Sequence, residues 1–109
     1  MENISFSDWE KIDIRMGKVL SAEKVEGTEK LLKLSVDLGE ESPRQLVASI
    51  AMNYMPEELV GKSIPVLANL EPKNFRGVES HGMLLAIDLN DDCVLLHPNK
   101  EVPAGVKVV

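Results

Sequence analysis

Two cations lie close together in one short polar segment of the chain. Lys73 and Arg76 fall between Pro72 and Gly77, where a turn is the expected structure. Lysine and arginine donate charge-assisted hydrogen bonds to phosphate oxygens, and a guanidinium can donate two in parallel. Side chains in so short a loop contribute little to the packing of a core, so core packing does not explain the two cations. We predict that this loop contacts phosphate groups.

The charge of the whole chain argues against such a ligand. The sequence has 18 acidic and 12 basic residues, a net charge of −6, and affinity for nucleic acid depends on lysine and arginine neutralising phosphates. The acidic residues are grouped away from Lys73 and Arg76, in the blocks Glu40–Glu41, Glu57–Glu58, and Asp88 with Asp91–Asp92. We therefore expect weak, salt-sensitive binding through one local basic patch.

Short strands surround this loop in the sequence. Alternation is clearest over residues 32–38, where four aliphatic side chains face one side and three polar ones the other. Gly17 predicts a bulge that bends the first strand, and Pro56 and Gly61 can begin and end a short helix. The remaining predicted elements are a helical turn capped at Ser7 and strands over 12–20, 44–50, 64–70, 83–89 and 94–96.

This order of elements predicts an all-β fold. We expect a five-stranded antiparallel OB-fold barrel with a short helix between strands 3 and 4 and a C-terminal β extension. Residues 1–109 would form a single domain, with a core over about 11–97 and the extension over 98–109. In this fold the face of strands 2 and 3, with the loops beside it, is the usual ligand surface.

The segment from Ala68 to Ala86 resembles the motif of the tRNA-binding domain family. That family includes the C-terminal domain of many methionyl-tRNA synthetases and their free-standing small relatives. Other segments are similar to the family in the same order, namely Lys11–Val19, Glu29–Leu31, Val36–Gly39 and Pro56–Lys62. The resemblance covers nearly the whole chain.

The resemblance implies structure-specific binding of tRNA, by its overall shape and with little base-specific reading. It extends the expected contact surface to the second and third strands, and Tyr54 could stack on a base. Met83 begins a strand, where packing in the core is the commoner role of methionine and contact with a base or sugar is the alternative. The candidate RNA-binding residues are Lys30, Lys33, Arg44, Asn53, Lys73, Arg76, Ser80, His81 and Met83.

No arrangement of residues predicts catalysis. Cys93 has no histidine near it in sequence, and Ser80 and His81 would face opposite sides of an extended strand. His81 and His97 stand alone instead of at zinc-ligand spacing. We expect a binding module that needs no cofactor and no metal, and that is not an enzyme. Two other functions stay open: an export-related polypeptide chaperone of the same fold, and a dimerisation module with little RNA affinity.

The expected partners are tRNA and a second copy of the chain, with methionyl-tRNA synthetase as a candidate third. The family resemblance implies homodimers formed through the C-terminal part, and the apolar segments Val94–Leu96 and Val106–Val109 fit that expectation. No apolar run reaches membrane-spanning length, and acidic residues interrupt the start of the chain, so we expect no signal peptide and no membrane partner. The expected location is the cytoplasm.

Overall fold

The fold is built around one long, bent strand. The computed structural model describes residues 1–109, with two short helices, α1 (Phe6–Glu10) and α2 (Pro56–Leu59). The strands are β1 (Ile14–Lys24), β2 (Leu32–Asp37), β3 (Arg44–Ala48), β4 (Ser63–Leu67), β5 (Lys73–Phe75), β6 (Val78–Ser80), β7 (Met83–Leu84), β8 (Ala86–Asp88), β9 (Cys93–Leu95) and β10 (Lys107–Val108).

Five antiparallel strands form a sheet that is nearly closed into a barrel. Their order is β3-β2-β1-β4-β7, and β10 adds to β1. The two ends of the sheet meet where the His81 N–H donates to the Gln45 carbonyl at 2.9 Å. Helix α2 lies between β3 and β4 in the chain. The predicted five-stranded OB-like barrel, its helix and its C-terminal β extension are therefore confirmed.

The alternation of β2 supplies one wall of the core. Leu32, Leu34 and Val36 are buried, while the polar residues between them lie on the half-buried outer face. In β4 the three central residues, Ile64 to Val66, are all buried, because this strand is covered on both sides. The rest of the core cluster consists of Val19, Leu38, Leu46, Ile50, Leu59, Ala68, Leu84 and Leu95.

The bulge in β1 lies further along the strand than the sequence predicts. The register with β2 shifts between Val19 and Ser21, and not at Gly17. Gly17 has a different role, because a Cβ there would lie 2.4 Å from Val36 Cγ1 and 3.0 Å from Leu38 Cδ2. The glycine thus allows β1 to pass close over the core side chains of Val36 and Leu38. The prediction of a bulge at Gly17 was wrong.

Several boundaries also differ. Helix α1 is capped by Ser5, whose hydroxyl accepts a hydrogen bond from the Asp8 N–H at 3.1 Å, and not by Ser7. The single strand predicted over 83–89 is two strands, because the chain leaves β4 after β7 and β8 then pairs with β9. The predicted start and end of α2 at Pro56 and Gly61 are confirmed, with Gly61 at a φ of +88°.

The C-terminal segment returns to the first strand. Val108 pairs with Ile14, and Lys107 with Arg15. Next to this pairing, the Gly105 N–H donates to the Met16 carbonyl at 2.7 Å, and the Met16 N–H donates to the Val106 carbonyl at 2.9 Å. The two helices are too short to cross a membrane.

Candidate nucleic-acid interface

The loop that carries the two predicted cations is a β-hairpin. Strands β5 and β6 pair with each other, and Arg76 and Gly77 form the two-residue turn between them. Both turn residues have positive φ, +55° and +87°, as the type I′ turn of a tight hairpin requires. The side chain of Asn74 supports the turn, because its Oδ1 accepts a hydrogen bond from the Gly77 N–H at 2.9 Å. Arg76 therefore lies at the tip.

The cations of this hairpin have no acidic partner. Lys73 and Arg76 are exposed, and neither takes part in any of the ion pairs of the molecule. The Lys73 ammonium lies 4.9 Å from the centre of the Phe75 ring, a distance at which the ring attracts a cation. Both side chains can therefore donate to a phosphate without first breaking a salt bridge.

Polar contacts attach the hairpin to β3, which is an edge strand of the sheet. The Gln45 side-chain amide donates to the Glu79 carbonyl at 2.8 Å. Ser80 is 2% exposed, and its hydroxyl accepts from the Val47 N–H at 3.0 Å and donates to the Gly82 carbonyl at 2.8 Å. Although the sequence suggested Ser80 as a contact residue, its hydroxyl is buried and fully used inside the protein.

His81 remains at the surface beside the hairpin. Its Nε2 lies 2.9 Å from the Glu79 carboxylate, and the two side chains are each about half exposed. Protonation of the imidazole would make this contact an ion pair and would add a cation next to the hairpin. The Nε2–H can donate a hydrogen bond to an external acceptor only in competition with Glu79, because it faces that carboxylate.

The cations predicted on the second and third strands are mostly paired. Lys33 Nζ lies 2.7 Å from Glu23 Oε1, and Arg44 Nη2 lies 2.6 Å from Glu40 Oε2. Lys30 is exposed, just before β2, and forms no ion pair. Of the five predicted cations, three are thus free: Lys30, Lys73 and Arg76.

The other predicted residues lie apart from the hairpin tip. Asn53 Nδ2 donates to Asp92 Oδ1 at 2.8 Å, which links the turn before α2 to the β8–β9 turn. The Tyr54 hydroxyl accepts from the Leu95 N–H at 3.0 Å, and its ring packs on the core, so it does not form an open stacking platform. Met83 is 40% exposed on β7 and is therefore less buried than a core position would be.

An open groove separates the hairpin from the turn that leads into β3. Its volume is about 820 Å³, and it is lined by the polar residues Glu40, Glu41, Ser42, Arg44, Gln45 and His81 and by the apolar residues Pro43, Leu70 and Pro72. The groove thus combines two carboxylates with one arginine that is already paired. Sequence reasoning did not identify Gln45 as part of this surface, because its partner Glu79 lies 34 residues away in the chain.

The one cysteine of the chain, Cys93, is half-buried at the start of β9. Burial raises the pKa of the Cys93 thiol above its ordinary value, and the carboxylates of Asp88 and Asp92 raise it further. A thiol with a raised pKa is a poor nucleophile at neutral pH. The structure contains no group of three or more histidine, cysteine or acidic side chains that could hold a metal ion.

The geometry agrees with a comparison of the sequence with protein families. The family described as "Putative tRNA binding domain" matches residues 14–107, which include β1, the hairpin and the first residue of β10. The chain belongs to the tRNA-binding domain family. The resemblance of the sequence motifs to that family is therefore confirmed.

Curated relatives of this tRNA-binding domain are methionine–tRNA ligases. The chain is 58% identical over 102 residues to the enzyme of Methanothrix thermoacetophila and covers 15% of its length. It is 52% identical over 105 residues to the enzyme of Thermotoga maritima and covers 16% of it. These alignments include 94% and 96% of the chain. The domain therefore corresponds to about one sixth of each of these ligases.

Two solved structures match the domain from end to end. A MetRS related protein from Pyrococcus horikoshii is 41% identical, with a TM-score of 0.92 and full coverage of both chains. The chaperone CsaA from Bacillus anthracis is 34% identical, with a TM-score of 0.90 and coverage of 99% and 100%. The same barrel thus occurs in proteins with two different described roles.

Proposed function

We propose that residues 1–109 act as one tRNA-binding domain whose contact surface is the face of the β5–β6 hairpin. The observation that supports this most directly is the pair of cations without acidic partners on one β-hairpin, with Lys73 at the start of β5 and Arg76 in the turn. Membership of the tRNA-binding domain family supports tRNA as the ligand. Lys30 and His81 are the further candidates that remain accessible.

Recognition in this proposal is by the shape and phosphates of tRNA. Three free cations can neutralise only a few phosphates, and the neighbouring groove contains two carboxylates that repel the RNA backbone. A ligand must therefore approach along the hairpin and away from the acidic groove. This constraint favours a folded RNA of defined shape over a flexible single strand, which can follow any basic path.

We further propose that the domain serves a methionine–tRNA ligase by holding tRNA, either within one polypeptide or as a separate chain in the cytoplasm. The sequence identity of about one half to such ligases supports this partner. The end-to-end match to a MetRS related protein supports the separate chain. In either arrangement the domain contributes binding, and it is neither catalytic nor dependent on a cofactor.

Two double variants with the same charge test the hairpin. Lys73→Ala with Arg76→Ala and Lys18→Ala with Lys100→Ala each remove two exposed cations, and Lys18 and Lys100 lie outside the hairpin. In filter binding of total tRNA, the affinity of the hairpin variant should fall about tenfold or more, since a charge-assisted hydrogen bond contributes roughly 1.5–3 kcal/mol. The affinity of the control variant should fall about twofold or less. Equal losses would show that net charge, and not this site, governs binding.

The structural likeness to the chaperone CsaA favours a second candidate function, the binding of unfolded polypeptide. Exposed apolar side chains that could take part include Met52, Met55 and Val60, around α2. Binding of a permanently unfolded, carboxymethylated protein should be measured in the same buffer as tRNA. Tight binding of the polypeptide, with no binding of tRNA, would favour the chaperone over the proposed function.

A further inference from the structure

The guanidinium of Arg44 bonds to three different segments of the chain. Its Nε donates to Glu40 Oε1 at 3.1 Å, and its Nη2 donates to Glu40 Oε2 at 2.6 Å. Its Nη1 donates to the backbone carbonyls of Ala68 and His81, the latter at 3.2 Å. The side chain is 23% exposed. Most of its donors are therefore used within the protein.

The carbonyls of Ala68 and His81 lie at the two ends of one chain segment. Ala68 follows β4, and His81 follows β6, so residues 69–80 between them contain the whole hairpin. Strands β5 and β6 form a separate two-stranded sheet, and a two-stranded hairpin alone is marginally stable in water. One side chain on β3 thus joins both ends of the segment that carries Lys73 and Arg76.

We infer that Arg44 is a positioning residue for the tRNA site and not itself a phosphate ligand, and that Glu40 orients it. This inference rests on the proposed function of the hairpin. Only arginine has a planar set of five N–H donors that can serve a carboxylate and two carbonyls together. A lysine retains the charge but lacks this geometry. Residues 69–80 would then keep only their other attachments, which are the neighbouring β4–β7 pairing and the hydrogen bonds of Gln45 and Ser80, and the two cations would be held less firmly on the barrel.

Removal of the Glu40 carboxylate should change tRNA affinity in the opposite direction from removal of an ordinary acidic side chain near the site. Removing a carboxylate near a polyanion site normally strengthens binding, because it removes repulsion. Glu40→Gln should instead weaken tRNA binding, since the guanidinium loses the charged acceptor that orients it. Glu41 provides the matched control, because it lines the same groove and is not part of any ion pair. Glu41→Gln should leave tRNA affinity unchanged or raise it.

The experiment compares Arg44→Lys, Glu40→Gln and Glu41→Gln with the unmodified protein. The first measurement is hydrogen–deuterium exchange without RNA, which should be about fivefold or more faster in peptides covering residues 69–81 of the first two variants, while peptides of β2 stay unchanged. The second is tRNA affinity, which should fall about fivefold or more in the same two variants, because a misplaced charge-assisted contact is largely lost. Both substitutions conserve size, and thermal unfolding confirms that each variant is folded.

Three results would overturn the inference. The first is unchanged exchange over residues 69–81 in Arg44→Lys, and the second is wild-type tRNA affinity in that variant, as a direct phosphate contact would allow. The third is a gain of affinity in Glu40→Gln that equals the gain in Glu41→Gln. Failure of the proposed function has a different signature, which is equal tRNA affinity in the hairpin double variant and the unmodified protein. The exchange measurement needs no RNA, so it tests the Arg44 contacts in either case.

Discussion

The hydroxyl of Ser80 accepts a hydrogen bond from the backbone N–H of Val47 at 3.0 Å, so that the last residue of the hairpin is joined to the C-terminal half of β3. The same hydroxyl donates to the carbonyl of Gly82. Both bonds are buried, and water cannot replace a partner that is removed from such a site without rearrangement of the fold. Ser80 therefore belongs to the support of the candidate interface and not to its contact surface.

Ser80→Ala should destabilise the protein by about 1–3 kcal/mol, because it leaves a buried N–H and a buried carbonyl without partners. Chemical denaturation measures the change in the free energy of unfolding. Ser42→Ala is the control, since Ser42 is exposed, and it should change that free energy by less than about 0.5 kcal/mol. Equal stabilities of the two variants would contradict the role assigned to the Ser80 hydroxyl.

Gly17→Ala should destabilise the protein by about 1–3 kcal/mol, because the added methyl group overlaps with Val36 in a packed core. A double-mutant cycle with Val36→Ala tests the cause. Val36→Ala removes the Cγ1 atom that the new methyl group would meet. In that background, Gly17→Ala should therefore lower the free energy of unfolding clearly less than it does in the unmodified protein. Additive losses in the cycle would show that the close approach of these two positions is not the source of the destabilisation.

Salt dependence should reveal how few phosphates the domain contacts. If the three unpaired candidate cations, Lys30, Lys73 and Arg76, each contact one phosphate, the slope of log affinity against log salt should be roughly −2 to −3 per chain, at about −0.7 to −0.9 per phosphate. In the hairpin double variant this slope should be shallower by about 1.5, because two phosphate contacts are removed. Titrations with a single-stranded oligonucleotide give the comparison for shape. Equal affinity for the oligonucleotide and tRNA would contradict recognition of a folded RNA.

The Cys93 thiol should react slowly with alkylating reagents at neutral pH. Burial and the neighbouring acidic side chains raise its pKa, so the neutral thiol persists to higher pH than in a free cysteine. The rate of reaction with iodoacetamide should therefore still rise at a pH where that of N-acetylcysteine has levelled off. Asp88→Asn should move the midpoint of this pH profile downwards, because it removes one of the negative charges. A midpoint at or below that of N-acetylcysteine would contradict the raised pKa.

We expect the domain to form a homodimer through its C-terminal third. Ile87, Leu89 and Leu96 are exposed apolar residues of β8, β9 and their flanks, and pairing of two copies would bury them. Light scattering at micromolar concentration should give about twice the chain mass of 12.0 kDa. Leu96→Glu should reduce the mass to that of the monomer, whereas Leu20→Glu, on β1, should not. A monomer mass for the unmodified protein would contradict this expectation.

The sequence was informative where a local pattern determines the structure. The period-2 alternation of β2 and the Pro56 and Gly61 limits of α2 are local signals, and both were predicted correctly. Pairing between distant segments is not a local signal. Neither the change of partner between β7 and β8 nor the location of the bulge can be derived from the residues at those positions.

The same distinction applies to the candidate site. Lys73 and Arg76 stood out because of their spacing in a turn, and the structure leaves them exposed and unpaired. The ion pair of Lys33 with Glu23 depends on the register of β1 and β2, and the contacts of Arg44 with distant carbonyls depend on how the barrel closes. Composition and spacing contain no information on these contacts, and so the free cations could not be separated from the paired ones by sequence alone.

The pairing of β1 with β10 has a consequence for the order of folding. Ile14 and Val108 come from nearly opposite ends of the sequence, yet β1 also pairs with β2 and β4. Within the domain, β2 follows β1 and can pair with it first, whereas Ile14 and Arg15 pair with β10 only when almost the whole domain has been synthesised. Closing so long a loop is entropically costly, and pairing of distant segments slows folding. The Ile14–Arg15 end of β1 is therefore where a nascent chain would most need protection from pairing with another strand.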